Sequence, residues 1–158
     1  MKPAKLKTIE QNDNVGLFSI CFDGSDESEF EKFIAKFKDN AVYNKDYNAI
    51  VFALTKIIAN GALERLFRIE GKINDNVAAL SLDSRKLRLY CLRMSDKILI
   101  LGNGGAKRTR TYQEDDELSG YVMDLQKFDK ALIEAQKNGR VTIEKSVITN
   151  IESATFEL

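Results

Sequence analysis

Histidine is absent from this 158-residue chain, and that narrows its chemistry at once. Ser-His-Asp triads, Cys-His nucleophiles and His-ligated metal centres are excluded. Proton transfer near neutral pH falls to Lys, Arg, Tyr, Asp, Glu or Cys. The groups with the most chemical potential lie between residues 85 and 112. Arg85, Lys86, Arg88, Arg93, Lys97, Lys107, Arg108 and Arg110 face a single acidic residue, Asp96. The segment therefore carries a balance of +7 in a chain whose 24 basic and 24 acidic side chains cancel. A basic stripe beside a basic loop attracts phosphate. The same residue types also populate ordinary solvated strand faces and discourage edge aggregation, so charge alone leaves both readings open. Tyr112, next to the run, reads equally as a core anchor or as an active phenol.

Other motifs carry less. Gly102-Asn103-Gly104-Gly105 has the composition of a phosphate cradle but lacks the Gly-Lys-Ser/Thr ending of a P-loop, and it reads as a flexible loop. Glu114-Asp115-Asp116-Glu117 could hold a hard cation, but an acidic helix start explains it with fewer assumptions. Cys21 and Cys91 sit in apolar runs and are expected to be buried free thiols. No signal-peptide pattern and no run of about 18 apolar residues is present, so a cytoplasmic protein without a membrane segment is expected.

The elements that must position the basic run follow from periodicity. One α+β domain over 1–158 is expected. Residues 1–14 are polar and expected to be poorly ordered. Val15–Asp23 reads as a strand apolar on both faces. Asp26 and Glu29 are spaced as a capping box for a helix over 26–39, with a stripe of Phe30, Phe33, Ile34 and Phe37. A second helix over 45–60 ends at Gly61, and the short link implies a helical hairpin. Leu63–Arg68 is a connection. Strands are predicted at 76–82, 86–94 and 97–103, the last two joined across Ser95-Asp96. On the middle strand Leu87, Leu89 and Cys91 share one face, and Arg88, Tyr90 and Leu92 the other. A third helix over 115–137 presents Leu118, Tyr121, Val122, Leu125, Phe128 and Leu132. Residues 139–158 form an extension with a possible strand pair at 140–143 and 147–151.

This order of elements is similar to that of the RelE/ParE toxin superfamily, most closely its HigB-like branch. Leu87-Arg88-Leu89-Tyr90-Cys91-Leu92-Arg93 resembles the branch's arginine-bearing strand. Lys97-Ile98-Leu99-Ile100-Leu101-Gly102 resembles its following apolar strand. Lys107-Arg108-Thr109-Arg110-Thr111 resembles its basic segment before the last helix, and Leu63–Gly71 resembles the stretch before the meander. The resemblance spans roughly residues 60 to 132. It implies an N-terminal strand and helical hairpin packed on a small antiparallel meander, with a C-terminal helix.

The function it implies is the toxin of a toxin–antitoxin pair. Such a toxin enters the ribosome and cuts messenger RNA by attack of a 2′-OH on its own phosphate, without metal or cofactor. The expected partners are the ribosome, mRNA and a cognate antitoxin of helix-turn-helix type. Arg88, Lys107, Arg108, Arg110 and Tyr112 would form the catalytic group. Arg65, Arg85 and Arg93 would add RNA contacts on the same surface. The chain departs from the family pattern in three places. Ser81 stands where an arginine is usual, the Pro after the basic segment is replaced near Tyr112, and the chain is longer and neutral. A second reading is therefore a catalytically inactive RelE-like module that binds a protein partner.

Overall fold

The computed structural model describes residues 2–70, 75–80, 86–107 and 112–158. In chain order the elements are β1 (Pro3–Gln11), β2 (Gly16–Phe22), α1 (Glu29–Phe37), α2 (Asn44–Asn60), β3 (Phe67–Ile69), β4 (Val77–Leu80), β5 (Leu87–Arg93), β6 (Ile98–Ala106), α3 (Asp116–Lys137), β7 (Ile143–Glu144), β8 (Val147–Ile148) and β9 (Phe156–Glu157). The architecture is α+β. Seven strands form one mixed sheet in the order β3-β4-β5-β6-β2-β1-β9, and β7 and β8 form a separate pair.

Both faces of the sheet are covered. Val15, Leu17, Leu89, Cys91, Leu99 and Leu101 pack against Phe33 and Phe37 of α1 and Ile50, Leu54 and Ile57 of α2. Phe18, Ile20, Tyr90, Leu92, Ile98 and Ile100 pack against Val122, Leu125, Phe128 and Leu132 of α3. This is why β2 and β6 read as continuous apolar runs: a strand buried on both faces has no side left for polar residues. β2 lies inside the sheet, parallel to β6 from Gly16 opposite Ile98 to Ser19 opposite Leu101.

Beyond Leu101 the two chain directions part, since β2 leads into α1 and β6 into α3 on the opposite face. Lys36 of α1 bolts the layers together there. Its ammonium donates to the Gly104 carbonyl at 2.7 Å and to the Tyr121 hydroxyl at 3.1 Å. The space left beside Glu29, Asn103 and Tyr121 is about 10 Å³, enough for one water at most.

Several expectations are corrected. Residues 3–11 form a strand rather than an unstructured lead. Ala4 and Leu6 are buried while Lys5 and Lys7 are exposed, which is the alternation of a strand with one face in the core and one in solvent. The cap of α1 is Ser28, not Asp26. Ser28 Oγ accepts from the Glu31 amide and Glu31 reaches back to the Ser28 amide. Ser28→Ala is expected to cost about 1 kcal/mol, read from the urea midpoint. Gly102–Gly105 is not a loop but the buried second half of β6. A Cβ on Gly102 would stand 3.0 Å from the Leu125 side chain and one on Gly105 3.0 Å from that of Leu118. The bare backbone thus lets α3 lie close to the sheet. Cys91 is buried as expected, but Cys21 is partly exposed. The tail from 139 is integral: Val141, Ile148, Ala154 and Phe156 are core residues, and β9 pairs with β1.

Candidate nucleic-acid interface

The antiparallel pairing of β5 and β6 decides which basic residues meet. Leu87 lies opposite Ala106 and Arg88 opposite Gly105. The start of β5 and the end of β6 therefore share one end of the sheet. There the Lys107 amide donates to the Lys86 carbonyl at 2.7 Å. Lys86 and Lys107 flank the two segments that hold the remaining basic residues. Arg85, Arg108 and Arg110 themselves, with Ser81, lie outside the described residues. Arg88 follows two residues into β5, and Tyr112 begins the turn that leads into α3. The Tyr112 ring meets the Tyr90 ring edge-on with centroids 6.4 Å apart, so Tyr112 serves as an anchor against the sheet on its α3 side.

Arg88 is not a bare cation. Its Nη1 lies 3.4 Å from Glu70 Oε1, and Nη2 of Arg68 lies 3.2 Å from the same oxygen. The side chains of Arg88 and Glu70 are only 13% and 11% exposed, whereas Arg68 is 55% exposed. One carboxylate thus holds two guanidinium groups and leaves a balance of +1. Charge-assisted bonds of this kind fix the arginine side chain, and they also occupy donors that an incoming phosphate would need. Arg68 and Glu70 were not singled out by sequence. They sit on β3 and just beyond it, and become neighbours of Arg88 only once β3, β4 and β5 are in register.

The phenols beside this group are neutral. Burial, then the Glu70 carboxylate, holds Tyr90 far above the ordinary tyrosine range. Burial, followed by Glu70 and Asp75, raises Tyr112 in the same direction. Tyr121, across α3, is raised by burial and by its bond to Glu117. The sign of the stability effect follows. Above the unfolded-chain pKa of 10.0 the unfolded tyrosines lose protons that the folded ones keep, so stability falls as pH rises beyond that point. Tyr90→Phe removes its share, and the alkaline unfolding midpoint followed by circular dichroism is expected to move up.

The remaining expected contacts do not join this group. Arg93 is five positions from Arg88, an odd number, so it points to the other face of β5. Its Nε donates to the Ala62 carbonyl at 2.8 Å, its Nη2 pairs with Asp96, and it stands over the Phe67 ring. It lines a hollow of about 250 Å³ together with Glu64 and Asp75, whose carboxylates make poor company for a phosphate. Arg65 is exposed in the turn at Glu64–Leu66. The single surface expected for Arg65, Arg88 and Arg93 is therefore corrected: Arg93 lies behind the sheet and is internally paired.

Compared with family models, with curated proteins and with solved structures, the chain matches none of them. Among the described residues no helix is long and apolar enough to cross a membrane.

Proposed function

We propose that this protein is a RelE/HigB-type toxin, a ribosome-dependent endoribonuclease that cuts mRNA by 2′-OH attack. The observation that carries the reading is the sheet-end junction of Lys86 and Lys107, with Arg88 one step inside and Tyr112 beside it. Cleavage needs cations where the phosphate gains negative charge, and such groups work best when held in place beforehand. Lys107, Arg108 and Arg110 would hold the phosphate, and Arg88 would approach it from the strand. Tyr112, neutral at physiological pH, would donate a hydrogen bond or stack on a base. The partners would be the ribosome, mRNA and a helix-turn-helix antitoxin, all in the cytoplasm. Expression of the chain alone should arrest growth and yield cut messages. Replacing Lys107, Arg108 and Arg110 together by alanine should abolish both while the protein stays folded. Growth arrest that survives this triple change overturns the assignment of the site.

A second reading is favoured by Glu70. An arginine already matched by the protein's own carboxylate suits a catalytically inactive module whose basic end binds an acidic partner protein. Tight binding of a partner by a sample that leaves ribosome-bound mRNA intact would select it.

A further inference from the structure

Tyr90 is fully buried at the centre of β5, and its hydroxyl has no hydrogen-bond partner among the described residues. An orphan hydroxyl of this kind is unusual, because burying it unpaired is costly. Phenylalanine would fill the same space without that cost. The surroundings suggest why the oxygen is kept. Tyr90 lies opposite Ala79, and Ala79 lies opposite Arg68. Arg68 and Tyr90 therefore flank a residue with almost no side chain. Over this gap the Arg88 and Glu70 side chains reach toward each other from the two strands on either side of β4. Two guanidinium groups thus hold one carboxylate, and Tyr90 stands on the same strand face as Arg88, two residues further along β5. Among the described residues the groups bonded to the Glu70 carboxylate are guanidinium donors, which is the surrounding an anionic oxygen requires.

We propose that Arg68, Arg88 and the Tyr90 hydroxyl form a phosphate subsite for single-stranded RNA, and that the Glu70 carboxylate covers it in the free protein. The inference rests on the nuclease reading above and adds to it two ligand contacts, Arg68 and Tyr90, and a covering group, Glu70. When a backbone phosphate enters, Glu70 swings out, Arg88 becomes available and the Tyr90 hydroxyl gains its missing acceptor. Arg68, already half exposed, makes the first contact.

The test compares Tyr90→Phe, Glu70→Gln and the wild type by binding of a short single-stranded RNA oligonucleotide at fixed salt. Tyr90→Phe is expected to weaken binding about tenfold, the effect of one hydrogen bond to a charged group. Its melting temperature should be equal to or above that of the wild type, because the phenol has no partner to lose among the described residues. Glu70→Gln is expected to strengthen binding severalfold, and Arg88→Ala in that background should remove the gain. Glu152→Gln makes the same charge change on the tail and should have no such effect, which separates a local cover from a general rise in positive charge. Tyr43→Phe, a control at a partly buried ring on the α1 side, should leave affinity unchanged. The inference is overturned if Tyr90→Phe lowers stability while RNA affinity is unchanged, or if Glu70→Gln and Glu152→Gln behave alike. The nuclease reading fails separately, when wild-type protein cuts no message.

Discussion

Gly104→Ala should destabilise this protein by roughly 3–5 kcal/mol, an overpacking effect with lost strand hydrogen bonds added to it. A Cβ at this position would stand 1.9 Å from the carbonyl oxygen of Arg88. That oxygen belongs to the backbone of β5, so no side-chain rotation can relieve the clash, and the strand itself must shift by about an ångström. The close approach has a structural origin. Opposite β5 the pairing of β6 jumps from Gly104 to Leu101 while β5 advances only from Leu89 to Cys91. One extra residue is thus accommodated in β6, and such bulges crowd the neighbouring strand. In a domain of this size the loss corresponds to roughly 10 °C in melting temperature. Gly120→Ala provides the contrast. Gly120 lies inside α3 with nothing within 4 Å of its would-be Cβ, so alanine there should stabilise by about 0.5–1 kcal/mol. Urea denaturation of both variants checks the pair, and equal midpoints would mean that the β5–β6 register is misplaced. The damage should extend to function, since the same shift moves Arg88.

The helices were legible because their burial is one-sided. The stripe over 115–137 needs only a 3.6-residue period, and every apolar residue in it except the hydroxyl-bearing Tyr121 is fully buried. β5 is buried on both faces, yet the two-residue period of a strand already implied that Arg93 faces away from Arg88. The expectation of a shared surface set that parity aside in favour of charge. Three features resisted for physical reasons. Glycine in a row signals a loop when nothing else is known, because the close packing that demands it involves α3, a remote element. The strand at 3–11 carries its signal in only two buried residues, Ala4 and Leu6, set among charges. The Glu70 partnership joins residues 18 positions apart, and it depends on the register of three strands. The cap of α1 was nearer to hand: Ser28-x-x-Glu31 is the stronger box by residue type than Asp26-x-x-Glu29.

Removing residues 139–158 should abolish cooperative folding altogether, although by sequence this stretch resembles an appendage. The tail crosses the α3 side of the sheet and returns to the N-terminal strand. Its Phe156 ring meets Phe128 of α3 with centroids 4.8 Å apart, and the Arg140 guanidinium lies 5.8 Å from the Phe156 ring centroid. Lys2 and Leu158 exchange two backbone hydrogen bonds of 2.9 Å each, which fastens the chain ends together. Ser146 Oγ donates to the Asn12 carbonyl at 2.7 Å, and its own carbonyl lies so close to Gly16 that a Cβ there would stand 2.1 Å away. Truncation therefore uncovers Phe128 and Leu132 and leaves β1 without β9. Deleting one buried phenylalanine side chain costs about 3–5 kcal/mol. Losing Val141, Ile148, Ala154 and Phe156 together exceeds the roughly 5–15 kcal/mol that holds a domain of this size. The truncated chain is expected to show no sigmoidal melt and a collapsed amide spectrum. Phe156→Ala alone should stay folded at about 3–4 kcal/mol lower stability. A truncated chain that melts with the full-length protein would mean that the core closes without its tail, and the tail would then have to be explained by what it binds.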